Sequence, residues 1–421
     1  MQTSFDAIII GAGPAGATAA ILLARAGWSV ALVEKQRFPR RKVCGECIAA
    51  SNLPLLDALG IWSAGQELDE SAGPALRQMA LMQGTRTIIA DLPASNHPGH
   101  AWGRALGRET LDTLLLEQAK IAGATLLQPF SAQATSGTAG NHHCQIRAVD
   151  SGCEVMLHAP VLIAAHGSWE PLPSGRQARR QGRRPTDLFA FKANFVGATL
   201  ADSLLPVLSF AGGYGGMVQG GGGILTLACC IRQDKLEACR SASPGLRAGD
   251  AVEALLKHEC RGVAQALQGA HTAGPWLASG PISPGIRLRL NENFFRIGNA
   301  AGEAHPIIGE GISMAIQSGW LLCAELLRSD PPRFGTSGAA WQREVLARYN
   351  AGWRGHFSGR LRLAALFAQF AMRPALSGPL LAVLSRWPSL LGHGARWSGK
   401  VRCAPGPEMI ARLAAGIRPV M

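Results

Sequence analysis

Phe5-Asp-Ala-Ile-Ile-Ile-Gly11-Ala-Gly13-Pro-Ala-Gly16, the alanine-rich apolar stretch 17–26, and Gly27-Trp-Ser-Val-Ala-Leu-Val-Glu34-Lys35 decide the fold. Ile8 to Ile10 is a short β-branched run, the pattern of a parallel strand buried on both faces. Gly11, Gly13 and Gly16 follow at the G-x-G-x-x-G spacing, with Pro14 and Ala15 at the start of the next helix. The first glycine permits a tight turn, the second lets backbone approach a pyrophosphate, and the third lets helix pack closely on strand. The helix begins with free N–H groups and the positive end of its dipole, which suit phosphate oxygens. Val30 to Val33 reads as a second strand, and Glu34 ends it 18 residues beyond Gly16, where a carboxylate can accept from a ribose diol. Strand, glycines, helix, strand and terminal acid in register predict a bound dinucleotide.

The apolar run Ala7 to Ala24 also has the length of a membrane span or signal peptide. Asp6 and the absence of a cation before it, with Gly11, Gly13, Pro14 and Gly16 inside it, argue against both. At 421 residues the chain exceeds one ordinary core, so two or three packed domains are expected. The net charge is +13, and only seven cations are lysines, so arginine dominates. That balance suits phosphorylated cofactors or an anionic membrane surface, and no basic run with interleaved aromatics resembles a nucleic-acid module. Cys44-x-x-Cys47 is the only C-x-x-C and lacks a second pair, so no metal site is expected. Reduced thiols and a cytoplasmic location are expected, with peripheral membrane contact left open.

Along the chain, Gly107 to Asp112 opens a helix ending near Gly123, and Val161 to Ala165 is a strand stopping at His166-Gly167. From Ala190 to Arg232 the pattern becomes glycine-separated strands, as in an antiparallel sheet. A buried strand at 293–297 leads through Gly298-Asn-Ala-Ala-Gly302 to a helix from about Gly311 to Leu327. Beyond Pro331 helices are expected, broken at Pro374, Pro379 and Pro388.

Three segments resemble the motifs of the flavoprotein monooxygenases of the p-hydroxybenzoate hydroxylase fold and their relatives, the geranylgeranyl reductases and flavin halogenases. They are Gly11 to Gly16 with Glu34; Phe38-Pro-Arg-Arg-Lys-Val-Cys44-Gly45-Glu46; and Phe295-Arg-Ile-Gly298-Asn299-Ala300-Ala-Gly302 through His305-Pro306, Gly309-Glu-Gly311, Ile312 and Ala315. Arg108 with Leu111-Asp112 resembles the R-x-x-L-D helix start that supports the cofactor. The resemblance implies an α/β fold. A Rossmann-like FAD-binding domain with a parallel sheet takes residues 1–82, 102–172 and 285–330. An inserted antiparallel β substrate domain takes 83–101 and 173–284, and a helical region takes 331–421. It implies FAD held by the glycine motifs and by Glu34, Lys35, Arg41, Lys42, Cys44, Gly45, Glu46, Arg108, Gly298, Asn299, Ala300, Gly309, Gly311 and Ile312. Asn299 stands where the family usually has Asp; its amide oxygen can still accept a hydrogen bond.

Cys44, Tyr214 and His166 are the candidates for chemistry. Cys44 is either a thiol acting beside a reduced flavin or a loop residue packing under the ring. His166-Gly167-Ser168 replaces an Asp-Gly pair of many hydroxylases, so His166 is either a turn residue or a flavin neighbour. Only one dinucleotide motif exists, so NAD(P)H docks transiently or a separate reductase supplies electrons. The halogenase Trp-x-Trp-x-Ile-Pro segment is absent. The Phe210 to Val218 stretch keeps Tyr214 of the prenyl-reductase strand but not its Trp or Phe-Pro. The resemblance therefore ranks first an FAD-dependent monooxygenase acting through a flavin C4a-hydroperoxide on an aromatic, polyketide-like or lipophilic small molecule of secondary metabolism. A reductase of prenyl or other isolated double bonds is the alternative. Residues Leu361 to Leu391 mix apolar side chains with arginines without an eighteen-residue uncharged span, leaving an interfacial helix or a lid on the substrate domain open. Monomer and homodimer are both left open.

Overall fold

The computed structural model describes residues 2–62, 71–97, 99–168, 183–332, 337–375, 378–401, 403 and 405–417. The β-branched run Ala7–Ile10 is the centre of a five-stranded, all-parallel sheet. Its order is Phe295–Arg296, Val161–Ala164, Ala7–Ile10, Val30–Val33, Thr125–Leu127. All four residues of each of the three central strands are buried, which explains their unbroken apolar sequence. One face packs on the helices Pro14–Arg25, Arg108–Ile121 and Gly311–Leu326, and the helix Ala339–Ala371 joins the same core. The other face is covered by the three-stranded antiparallel sheet Phe130–Thr138, Asn141–Ala148 and Glu154–Ala159.

The second large sheet has eight strands. Leu188–Val196, Leu225–Arg232, Gly213–Gln219 and Leu204–Phe210 run antiparallel in that spatial order. Leu204–Phe210 then pairs parallel with Gln78–Gln83, which forms a hairpin with Arg86–Asp91. The second sheet thus includes residues 78–82, which lie before the boundary at residue 83 that the resemblance implies. Alternation along Gln78–Gln83 is weak, and its parallel partner Leu204–Phe210 lies far away in sequence, so no local pattern marks the boundary. The helices Gln233–Ala242, Ala248–Glu259 and Arg261–Ala266 cover one face of this sheet.

Beyond residue 331 the chain is helical, with breaks at Pro374 and Pro388 as expected between Ala339–Ala371, Gly378–Arg386 and Ser389–Trp397, whereas Pro379 sits in the first turn of the second helix, where its missing N–H is tolerated. The end of the long helix is tied to the substrate sheet. Ser209 Oγ donates to the Ala371 carbonyl at 2.8 Å, and the Gly212 N–H donates to the Met372 carbonyl at 2.9 Å. Leu381 and Leu384 pack on Ile88 and Leu81 of the hairpin.

Two helices that begin at glycine motifs, Pro14–Arg25 and Gly311–Leu326, pack directly on each other. A Cβ on Gly319 would lie 3.0 Å from the Ala15 carbonyl oxygen and 3.1 Å from Thr18 Cγ2. Gly319→Val therefore wedges them apart. The expected cost is about 1–3 kcal/mol, read by urea denaturation, together with weaker FAD retention on gel filtration.

Candidate cofactor and substrate site

A cavity of about 1300 Å³ lies between the carboxyl ends of the parallel strands, the second sheet and the carboxy-terminal helices. Its position follows the general rule for open α/β sheets. Its wall includes Gly11, Gly13, Pro14, Ala15, Glu34, Lys35, Arg41, Lys42, Cys44, Gly45, Glu46, Arg108, His166, Tyr214, Gly298, Asn299, Gly309, Gly311 and Ile312. Of the residues read as candidates, only Gly16 and Ala300 are buried outside the wall. Gly16 serves packing: a Cβ there would sit 1.9 Å from the Gly11 carbonyl oxygen.

The two helices that face the cavity start without a side-chain cap, at Gly13 and at Glu310. Their first N–H groups are therefore available to an anion. A Cβ on Gly311 meets nothing within 4 Å, so that turn stays open toward the cavity. Glu34 is 4% exposed, and both its oxygens are engaged. Oε2 accepts from the Ala12 N–H at 3.0 Å, and Oε1 accepts from the Gln36 N–H at 2.9 Å and from Arg40 at 3.3 Å. Arg40, which stacks on Phe38, also reaches Asp112 at 3.5 Å. Asp112 in turn takes a two-point hydrogen bond from Arg108, at 2.7 and 2.6 Å. Arg40, Arg41, Lys42 and Arg108 thus gather cations on one wall of the cavity. Burial, with Arg108 and Arg40 nearby, lowers the Lys42 ammonium to about 8.

Glu46 is the only non-glycine residue with positive φ among the described residues, at 56°. That conformation costs about 1–3 kcal/mol and persists only where surroundings hold it. Here the carboxylate does so. It accepts from the Arg108 N–H at 2.9 Å, from Thr226 Oγ1 at 2.8 Å, and pairs with Lys192 Nζ at 2.5 Å. Glu46 therefore joins the cofactor loop to the helix Arg108–Ile121 and to two strands of the substrate sheet. Lys192, 2% exposed, was not among the sequence candidates. Its signal was a lone cation within Leu188-Phe-Ala-Phe-Lys192-Ala-Asn-Phe.

In the third motif, Asn299 Nδ2 donates to Ser168 Oγ at 2.9 Å, and Ser168 donates to Glu303 Oε1 at 2.8 Å. Arg287 pairs with Glu303 at 2.9 Å. With the amide nitrogen occupied, the oxygen of Asn299 is the atom left to accept. His166 lines the cavity while Gly167, at φ 86°, makes the turn. Both ring nitrogens of His166 are buried without a partner, and burial beside Arg296 and Arg287 lowers the imidazole to about 4. It is neutral at pH 7, presenting one donor and one acceptor. Tyr214 is 1% exposed, and its hydroxyl lies 3.1 Å from His305 Nδ1. Burial holds the phenol well above its usual range and lowers His305. Cys44 and Cys47 are both free.

These features fit FAD. Two uncapped helix starts and a cation cluster face one cavity, beside the buried carboxylate of Glu34 and a histidine with orphaned nitrogens. Residues 4–206 match the family model of the FAD binding domain. The chain is similar to menaquinone reductase of Mycobacterium tuberculosis, 28% identical over 382 residues, covering 88% of this chain and 86% of the relative. It is also similar to digeranylgeranylglycerophospholipid reductase 1 of Methanothermobacter thermautotrophicus, 24% identical over 337 residues and 76% of each chain. Among solved structures, the myxobacterial chondrochloren halogenase superposes with a TM-score of 0.69 at 18% identity, covering 99% and 98% of the two chains. A geranylgeranyl bacteriochlorophyll reductase-like protein of Thermoplasma acidophilum gives 0.66, also at 18%, covering 98% and 96%. The FAD binding domain and these similarities support an FAD-dependent oxidoreductase with geranylgeranyl reductase-like relatives.

Lys192→Met strands the Glu46 carboxylate and is expected to cost about 3–5 kcal/mol, read as a lower denaturation midpoint. Lys42 carries its charge below pH 8 and loses it above. FAD affinity should therefore fall by about tenfold between pH 7 and 9.5, for the loss of one charge-assisted contact. Lys42→Met should show the weaker affinity at both pH values in a flavin-fluorescence titration.

Proposed function

We propose that this FAD-dependent oxidoreductase reduces a carbon–carbon double bond in a polyprenyl or similarly lipophilic substrate. One observation carries the reading: the cavity is larger than one ligand needs, and its part away from the glycine motifs is apolar. About 300–1000 Å³ suffices for an ordinary ligand site, against about 1300 Å³ here. The additional space runs between Met79, Leu81, Leu205 and Val207 of the substrate sheet and Phe367, Leu381, Leu384 and Leu391 of the carboxy-terminal helices. An extended apolar chain fits such a space better than a compact polar ring does. The similarity to menaquinone reductases over most of both chains supports the same reading. The motifs alone rank hydroxylation first; the apolar lining and the similarity to reductases support double-bond reduction instead.

Bound FAD supplies the two-electron redox chemistry. The chain supplies position, dryness and a proton. Saturating a double bond consumes one proton beyond the hydride equivalent, and two side chains at the cavity wall carry a transferable one. Tyr214 stays protonated at neutral pH because burial disfavours the phenolate. His305, half-buried behind it, can return a proton to the phenol after transfer. Cys44 is the second donor on the wall. Both lie on the cofactor side of the apolar space, so a substrate threaded through that space would present its end to them. Among the described residues there is a single dinucleotide fold, so the reductant, NAD(P)H or a separate reductase, reaches the flavin only transiently.

The test is turnover of chemically reduced, FAD-loaded protein with menaquinone and with a prenyl diphosphate, in one arm without oxygen and in the other under labelled dioxygen, followed by mass spectrometry. After reoxidation of any quinol, a product heavier by two hydrogens with the gain located in the prenyl chain by fragmentation, formed without oxygen, is the expected outcome. Incorporation of labelled oxygen from dioxygen, with no saturated product, would restore hydroxylation as the activity. Tyr214→Phe and Cys44→Ser should each retain FAD; the variant lacking the true proton donor should slow turnover by about 10²-fold or more.

A further inference from the structure

The carboxy-terminal helices carry an apolar surface that the fold leaves uncovered. Leu366, Phe370, Leu380, Leu390 and Trp397 line the internal cavity and yet are 52%, 41%, 40%, 45% and 70% exposed. Residues that belong to both the cavity wall and the outer surface mark its mouth. Val383 and Trp387 follow Leu380 at i+3 and i+7, extending the same helix face outward, and are 40% and 56% exposed. Exposed aromatic and aliphatic side chains clustered around an opening are unusual for a surface that faces only water.

The charge along this helical stretch has one sign. From Val345 to Pro407 the chain contains no Asp or Glu, while it carries eight arginines and one lysine. Arg362, Arg386 and Arg396 are exposed on the same three helices as the apolar residues, and Arg373 is exposed just beyond the end of the first. A protein partner covering this face would need an acidic rim, and a second copy would bring the same cations against these. Anionic lipid supplies negative charge at the rim and hydrocarbon for the apolar centre. Tryptophans at the edge, such as Trp387 and Trp397, suit the headgroup level. Among the described residues no helix is long and apolar enough to cross a membrane, so contact here would be from one side.

We infer that the face formed by the helix ends around Leu366–Phe370, Leu380–Trp387 and Leu390–Trp397 docks on an anionic lipid bilayer. The mouth of the cavity then opens into the membrane. A lipophilic substrate would enter without crossing water. The inference accords with the function proposed above but does not rest on it, because docking is measured without turnover.

The experiment is sedimentation of FAD-loaded protein with vesicles of phosphatidylcholine alone and of phosphatidylcholine with about one-third phosphatidylglycerol. Binding to the mixed vesicles is expected to exceed binding to the neutral ones by at least about tenfold, and to weaken at about 1 M salt. Two variants lie outside the cavity wall. Trp387→Glu and Arg386→Glu should each reduce binding to anionic vesicles by about tenfold while retaining bound flavin and the far-ultraviolet spectrum of the parent. Equal, weak binding to both vesicle types would overturn the inference. So would a dimer in sedimentation equilibrium that Trp387→Glu dissociates, since that would assign the face to a second copy.

Discussion

The carboxylate of Glu46 is the constraint on which the site depends. It sits on a backbone turned to positive φ, in a loop that would otherwise have no reason to stop where it does. Three donors converge on it from elements far apart in sequence: the Arg108 N–H, Thr226 Oγ1 and Lys192 Nζ. A buried ion pair of this kind contributes little net stability against an apolar replacement. It contributes uniqueness, because only one arrangement of loop, helix and sheet satisfies all three partners. The cofactor wall and the substrate sheet are thereby held at one fixed separation, with Cys44 two residues from the joint.

Electrostatics on the cofactor side follow a similar economy. Arg40, Arg41, Lys42 and Arg108 would repel one another if left alone. Glu34 and Asp112 hold Arg40 and Arg108 in place, and Arg41 lies 3.9 Å from Glu109. Lys42 is the member whose charge burial and its neighbours most weaken. An anion arriving in the cavity would restore it. A second buried acid, Glu310 at the start of the helix Gly311–Leu326, meets Lys400 at 3.5 Å and Arg360 at 3.9 Å. The carboxy-terminal region therefore reaches back to the same helix start that faces the cofactor space, and is part of the site rather than an appendage.

Much of this was legible in the chain itself, for physical reasons that differ by element. The strands Ala7–Ile10, Val30–Val33 and Val161–Ala164 are buried on both faces, and their sequence shows it directly. The glycine turns are readable because a side chain at Gly11 or Gly16 would overlap backbone. Pro374 and Pro388 lie at helix ends as expected, whereas Pro379 opens one. The network around Asn299 was not legible, since Ser168 and Arg287 come from segments that share no local pattern with the third motif. Nor was the Tyr214–His305 pair, which joins a substrate strand to a cofactor loop 91 residues later. Residues in local register announce themselves; residues joined only by tertiary packing do not.

The parallel pairing of Gln78–Gln83 with Leu204–Phe210 has a consequence for how the molecule is assembled during synthesis. The hairpin at 78–91 leaves the ribosome long before the strands that complete its sheet. Until those strands arrive, one edge offers unpaired backbone donors and acceptors to any passing strand. Its early neighbours must tolerate that interval. A nascent chain arrested before residue 204 should consequently be the species most in need of a chaperone.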